Sequence, residues 1–142
     1  MTTSATPNWF KPALWAALIW NLLGVFAFIM HLMMTPEMIS KLPLDQQAAY
    51  SNVPLWSTIA FAVAVFGGTL GCILLLVKNA FATPTFALSL VAIFIQQFYN
   101  FIVINSIKML GVSAVFMPIL VIVIAFLLLY LSIKSKQQGW LN

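Results

Sequence analysis

The segment Gln96-Gln97-Phe98-Tyr99-Asn100, with Asn105 just beyond it, sets carboxamides and a phenol inside one apolar run from Phe86 to Ile107. Amide side chains both donate and accept hydrogen bonds, and in hydrocarbon they are costly unless paired. A second polar pair, Asn21 and His31, lies in the first apolar run, with Gly24 and Phe28 between them. Steps of three and four put these residues on one helix face. At a rise of about 1.5 Å per residue, Asn21, Gln96 and Gln97 fall near mid-run, and His31 and Asn105 about 12 Å toward one end. Ser89, Gln96 and Asn100 share a face, with Gln97 and Asn105 on its flank. Polar faces at matching depths predict that the first and third helices meet or line one cavity, widening toward the loop after the first helix. These groups outnumber the mates that Asn21 and His31 can supply. The surplus suits an uncharged polar ligand, a quinone or a lipid headgroup, held by hydrogen bonds and stacking. The competing reading is interhelical glue, worth about 0.6 kcal/mol per hydrogen bond.

Other chemistries find little footing. His31 is the sole histidine, so bis-histidine haem ligation within the chain is excluded. Met30, Met33 and Met34 stand on the same helix and cannot reach the opposite haem face. No zinc or iron–sulfur spacing occurs, and no metal or cofactor is expected. No G-x-S-x-G, phosphate loop or intramembrane carboxylate pair is present, so an enzyme is not expected. Proton-coupled pumping normally needs ionisable groups within the membrane. Here the acids, Glu37 and Asp45, flank Lys41 in a loop.

The elements that carry these residues follow from composition. The 142 residues are 63% hydrophobic and 6% charged, against about 25% charged in soluble domains. A water-facing surface cannot be built from this mixture. The net charge of +4 comes from six lysines scattered at the ends of apolar runs, not from the clustered basic face that nucleic acid requires. The expected fold is a single integral membrane domain over 1–142: an all-α, transmembrane four-helix bundle with spans at about 12–34, 55–77, 85–107 and 114–133. Each approaches the ~20 residues that a crossing needs. The first run is too long for a signal-peptide core and is expected to remain as an anchor.

Local signals mark the junctions. Trp9, Phe10 and Lys11 form an interfacial anchor before Pro12. Thr35-Pro36-Glu37 reads as a cap, a first-turn proline and a dipole-matched acid. The 35–54 loop holds Pro36, Pro43 and Pro54, and Leu44 to Ser51 is either a short interfacial helix or irregular. Thr83 is expected to cap a helix started by Pro84. Lys108 closes the third span, and Gly111 and Ser113 separate it from the fourth. Pro118 falls in or just after that helix's first turn.

The second span carries Ala60, Ala64, Gly68 and Cys72 at steps of four, with Gly67 and Gly71 beside them in a G-x-x-x-G arrangement. Small residues at this spacing let a partner backbone approach closely. The expected partner is the first or third span; the alternative is a second copy or another subunit. Cys72, the only cysteine, reads as a packing residue. Lys11, Lys78, Lys134 and Lys136 fall at one end of such a bundle, and Lys41 and Lys108 at the other. The positive-inside rule then puts both termini in the cytoplasm and the 35–54 loop outside.

The segments Leu42-Pro43, Gln46-Gln47-Ala48-Ala49-Tyr50 and Pro54-Leu55-Trp56, the run Ala60 to Gly68, Gln97 to Phe101, and Met117-Pro118-Ile119 carry a resemblance over nearly the whole chain. It resembles a family of small bacterial four-span membrane proteins that bear a sugar-transporter-like label. The resemblance implies a multi-pass inner-membrane protein with a transport role and brings no binding residues with it. Two functions are therefore expected in contention. One is binding or passing a small uncharged polar molecule from the outer side, through Asn21, His31, Gln96, Gln97, Tyr99, Asn100 and Asn105. The other is a structural or accessory subunit of a membrane complex or homo-oligomer, packing through the small-residue face of the second span.

Overall fold

A computed structural model of the chain describes residues 5–47, 50, 53–103 and 115–141. The long apolar stretches are helical because, out of water, a helix satisfies its backbone groups within the segment. They are α1 (Phe10–Met33), α4 (Leu55–Leu76), α5 (Ala82–Phe98) and α6 (Phe116–Gln137). A π-helical turn, Tyr99–Val103, continues α5. The helices, of 21 to 24 residues with that turn counted to Ile102, are long and apolar enough to cross a membrane. At about 1.5 Å per residue each matches a hydrocarbon core about 30 Å thick. Two short helices, α2 (Pro36–Ser40) and α3 (Leu44–Gln47), lie between α1 and α4.

The bundle is an all-helical one whose outer surface is apolar. Leu23, Phe26, Leu88 and Leu127 are each about 60% exposed, a pattern that suits lipid and not water. Along the bundle α1 packs on α4, α4 on α5, and α5 on α6. Helices α1 and α6 are not a packing pair along their lengths. They come together at one end, where Phe10, Leu14 and Leu18 join Leu75, Phe86, Leu128 and Trp140 in a buried cluster. The Phe10 and Trp140 rings meet edge to face at 5.3 Å, so both ends of the described chain stand at the same end of the bundle.

Helix ends explain the local geometry. Thr35 Oγ1 accepts from the Met38 backbone N–H at 3.2 Å, with Pro36 and Glu37 in the first turn of α2. At the end of α4, Asn79 N–H reaches Leu74 O at 2.8 Å and Lys78 N–H reaches Leu75 O at 3.0 Å. These are the two bonds of a Schellman motif. Its left-handed position is taken by Lys78, at φ 59°. The same motif ends α6 through Trp140 to Ser135 and Gly139 to Lys136, with Gly139 at φ 75°. That reversal returns Trp140 to Phe10.

Three junctions differ from the sequence expectation. Thr83 does not cap α5. The helix starts at Ala82, Asn79 Oδ1 accepts from Phe81 N–H at 2.8 Å, and Thr83 Oγ1 is buried without a hydrogen-bond partner among the described residues. Asn79 wins because its side chain reaches the chain two residues on and makes the turn. Helix α6 runs to Gln137 and not to 133. Near this end Ser132 and Ser135 donate back to Leu129 O and Leu131 O, and the glycine stop lies at Gly139. Of the 44–51 segment, Leu44–Gln47 is helical, and Ala48, Ala49 and Ser51 lie outside the described residues. Lys108, Gly111, Ser113 and Ala114, the first residue expected for the fourth span, lie outside them as well.

Candidate functional site

Helix α4 is the element that positions the polar residues, because its small side chains let both neighbours come close. From α1, Asn21 sits against Gly68, where an added Cβ would collide with Asn21 Oδ1. Asn21 Nδ2 donates to Ala17 O at 2.8 Å and to Cys72 Sγ at 3.5 Å. Above it a Cβ on Gly24 would lie 3.1 Å from Val65. Phe28 meets Phe61 and Phe66 edge to face at 5.2 and 5.8 Å. His31 reaches Phe61 at 6.0 Å. The stripe Asn21, Gly24, Phe28, His31 is thus the face by which α1 lies on α4.

From the other side, α5 uses Ser89 and Phe86. Ser89 Oγ donates to Ala64 O at 2.6 Å, a backbone carbonyl already within its own helix. A Cβ on Gly67 would stand 3.1 Å from Ser89 Cβ, and one on Gly71 would enter the Phe86 ring at 2.7 Å. Ala60, Ala64, Gly68, Gly71 and Cys72 are buried within the chain. A second copy could not dock on this face without displacing α1 or α5.

Of the two expected arrangements, α1 and α5 are not a main packing pair, but they do line cavities together. Helix α4 stands between α1 and α5, and the polar groups divide over two chambers. The outer chamber, about 170 Å³, lies at the end of the bundle that carries α2 and α3. His31 of α1, Gln96, Tyr99 and Asn100 of α5, and Tyr50 of the loop line it. The His31 and Tyr50 rings stack at 5.2 Å. Tyr99 is buried, with its ring edge to face on Trp56 at 5.4 Å. The inner chamber, about 380 Å³, lies deeper and is lined from all four long helices, with Asn21, Gln96 and Gln97 among mostly apolar neighbours. Phe61 and Gln96 border both chambers. Beside Asn21 and Ser89 a void of about 30 Å³ remains.

Hydrogen bonding at these walls is sparse. Asn100 Nδ2 donates to Gln97 Oε1 across one turn at a long 3.4 Å. Gln96, half-buried, has no hydrogen-bond partner among the described residues, and neither has the Tyr99 hydroxyl. The π-helical turn begins at Tyr99, within this polar segment; such turns are frequent at functional sites. Asn105 lies outside the described residues. Sequence reasoning passed over Tyr50, Ser57, Thr58 and Phe61 as lining residues. Ser57 and Phe61 are four apart, and that spacing on α4 was the available signal; Tyr50, in a loop, gave none.

No acidic, histidine and cysteine cluster able to hold a metal occurs among the described residues. No family model matches the chain, and no curated protein or solved structure matches it.

Proposed function

We propose that this is a bacterial inner-membrane protein, its termini cytoplasmic, that binds a small uncharged polar molecule from the outer side. The ligand occupies the chamber between His31, Tyr50, Gln96, Tyr99 and Asn100. The observation that carries this reading is the Gln96 carboxamide, half-buried and unpartnered among the described residues, beside the Tyr99 hydroxyl, which also has no partner among them and sits on a buried ring. Unpaired amides in apolar surroundings cost free energy unless a mate is supplied, and a solute with hydroxyl or amide groups supplies one. Among the described residues no carboxylate or lysine lines the chamber, which suits a neutral solute. A cavity near 150 Å³ takes a molecule of about benzene's size, so the solute is a compact one. The transport role implied by the family resemblance would require passage beyond this chamber, and a chain of four spans would then work as an oligomer.

The test is thermal stability of the purified protein titrated with neutral polyols and small amides, in wild type and in Gln96→Leu. Saturable stabilisation in the wild type, lost in a variant at least as stable without solute, is the expected result. Equal stabilisation of both proteins, or none in the wild type, would overturn the reading.

A further inference from the structure

The inner chamber is more than twice the volume of the outer one and has a different chemistry. Leu23 of α1 and Met117 of α6, 60% and 56% exposed, stand at its margin. They belong to the lipid-facing surface of two helices that are not a packing pair. The chamber therefore opens sideways, between α1 and α6, toward the acyl chains. No ionisable side chain lines it among the described residues, and a charged occupant would find no counter-ion among them.

Its polar groups are a small, directional set. Asn21 has turned its amide hydrogens inward, to Ala17 O and Cys72 Sγ. Gln97 engages Asn100 through Oε1, which leaves its Nε2 hydrogens unused among the described residues. Gln96 brings to the same wall a second amide that is unpartnered among the described residues. The amide hydrogens on offer call for an acceptor on the ligand, and the remaining walls call for an apolar body, with Trp20 available for stacking.

We propose that the inner chamber is a second site, reached from within the bilayer, for an uncharged lipid-soluble molecule whose carbonyl oxygen accepts from Gln97. Both a quinone ring and the ester of a neutral glycerolipid have this chemistry. The site shares the Gln96 and Phe61 wall with the outer chamber and differs from it in taking lipid-soluble molecules, where the outer one takes water-soluble solutes.

The test uses the purified full chain in detergent, with decylubiquinone, dioleoylglycerol and undecane as separate probes of thermal stability. One carbonyl-bearing probe is expected to raise Tm saturably while undecane does not, and which of the two succeeds tells a quinone from a glycerolipid. Gln97→Leu is expected to fold with an unchanged or higher Tm and to weaken that probe at least tenfold. Ala27→Phe, at an exposed position on the chamber margin, is expected to block the probe and leave stabilisation by polyols in the outer chamber intact. Undecane acting as well as the carbonyl probes, Gln97→Leu binding normally, or no probe shifting the wild type would each overturn the proposal.

Discussion

Two residues hold conformations or surroundings that their side chains do not favour. Thr83 Oγ1 is buried and unpaired among the described residues, where a hydroxyl is a liability and a methyl of the same shape is not. Thr83→Val should stabilise the protein by about 1 kcal/mol, read as a higher unfolding temperature in detergent. Lys78 occupies the left-handed stop of α4, which costs an L-residue roughly 1–2 kcal/mol relative to glycine. Lys78→Gly should therefore also raise stability, by about 1 kcal/mol, and a fall in Tm would show that the lysine side chain contributes more than the strain. Gln96 differs from both residues. Its hydrogen-bonding groups face chambers and not packed side chains, as the proposed recognition role requires.

At the scale of elements, α4 organises the bundle because membrane helices lack a hydrophobic drive toward each other and gain from close backbone approach. Asn21 fills the groove at Gly68 on one side, and Ser89 bonds the Ala64 carbonyl on the other. Gly68→Leu should destabilise by about 1–3 kcal/mol through overpacking. Adding Asn21→Ala should restore part of that loss, since the collision is with the Asn21 side chain. Thermal unfolding of both single variants and the double one measures the coupling; strict additivity would place the strain elsewhere. The Schellman turn after α6 has a related task at the bundle's end. It carries Trp140 back onto Phe10 and so ties α6 to α1, which otherwise rest on different neighbours.

For the whole molecule, the contact of Phe10 with Trp140 puts Lys11, Lys78, Lys134 and Lys136 at one end, and Glu37 and Lys41 at the other. In a Cys72→Ala background, single cysteines at Ala5 and Gln138 should react alike with an impermeant thiol reagent in intact cells, and opposite to one at Glu37. Labelling of Ala5 and Glu37 from the same side would break the four-span arrangement. The spans and the small-residue face were legible from the chain alone, because length, apolarity and a step of four are local properties that hydrocarbon enforces on any helix. The Thr35 cap was legible for the same reason. The division of the amides was not. Asn21, set beside His31 by periodicity, belongs with Gln97 in the inner chamber, His31 joins Tyr50, Tyr99 and Asn100 in the outer one, and Gln96 borders both. Periodicity gives the face of a helix but not which helix lies opposite, nor how far apart two helices stand once glycine and alanine have set their spacing. Only the packing of α1 and α5 on the two sides of α4, with Phe61 between the chambers, decided which amides were paired and which were left facing open space.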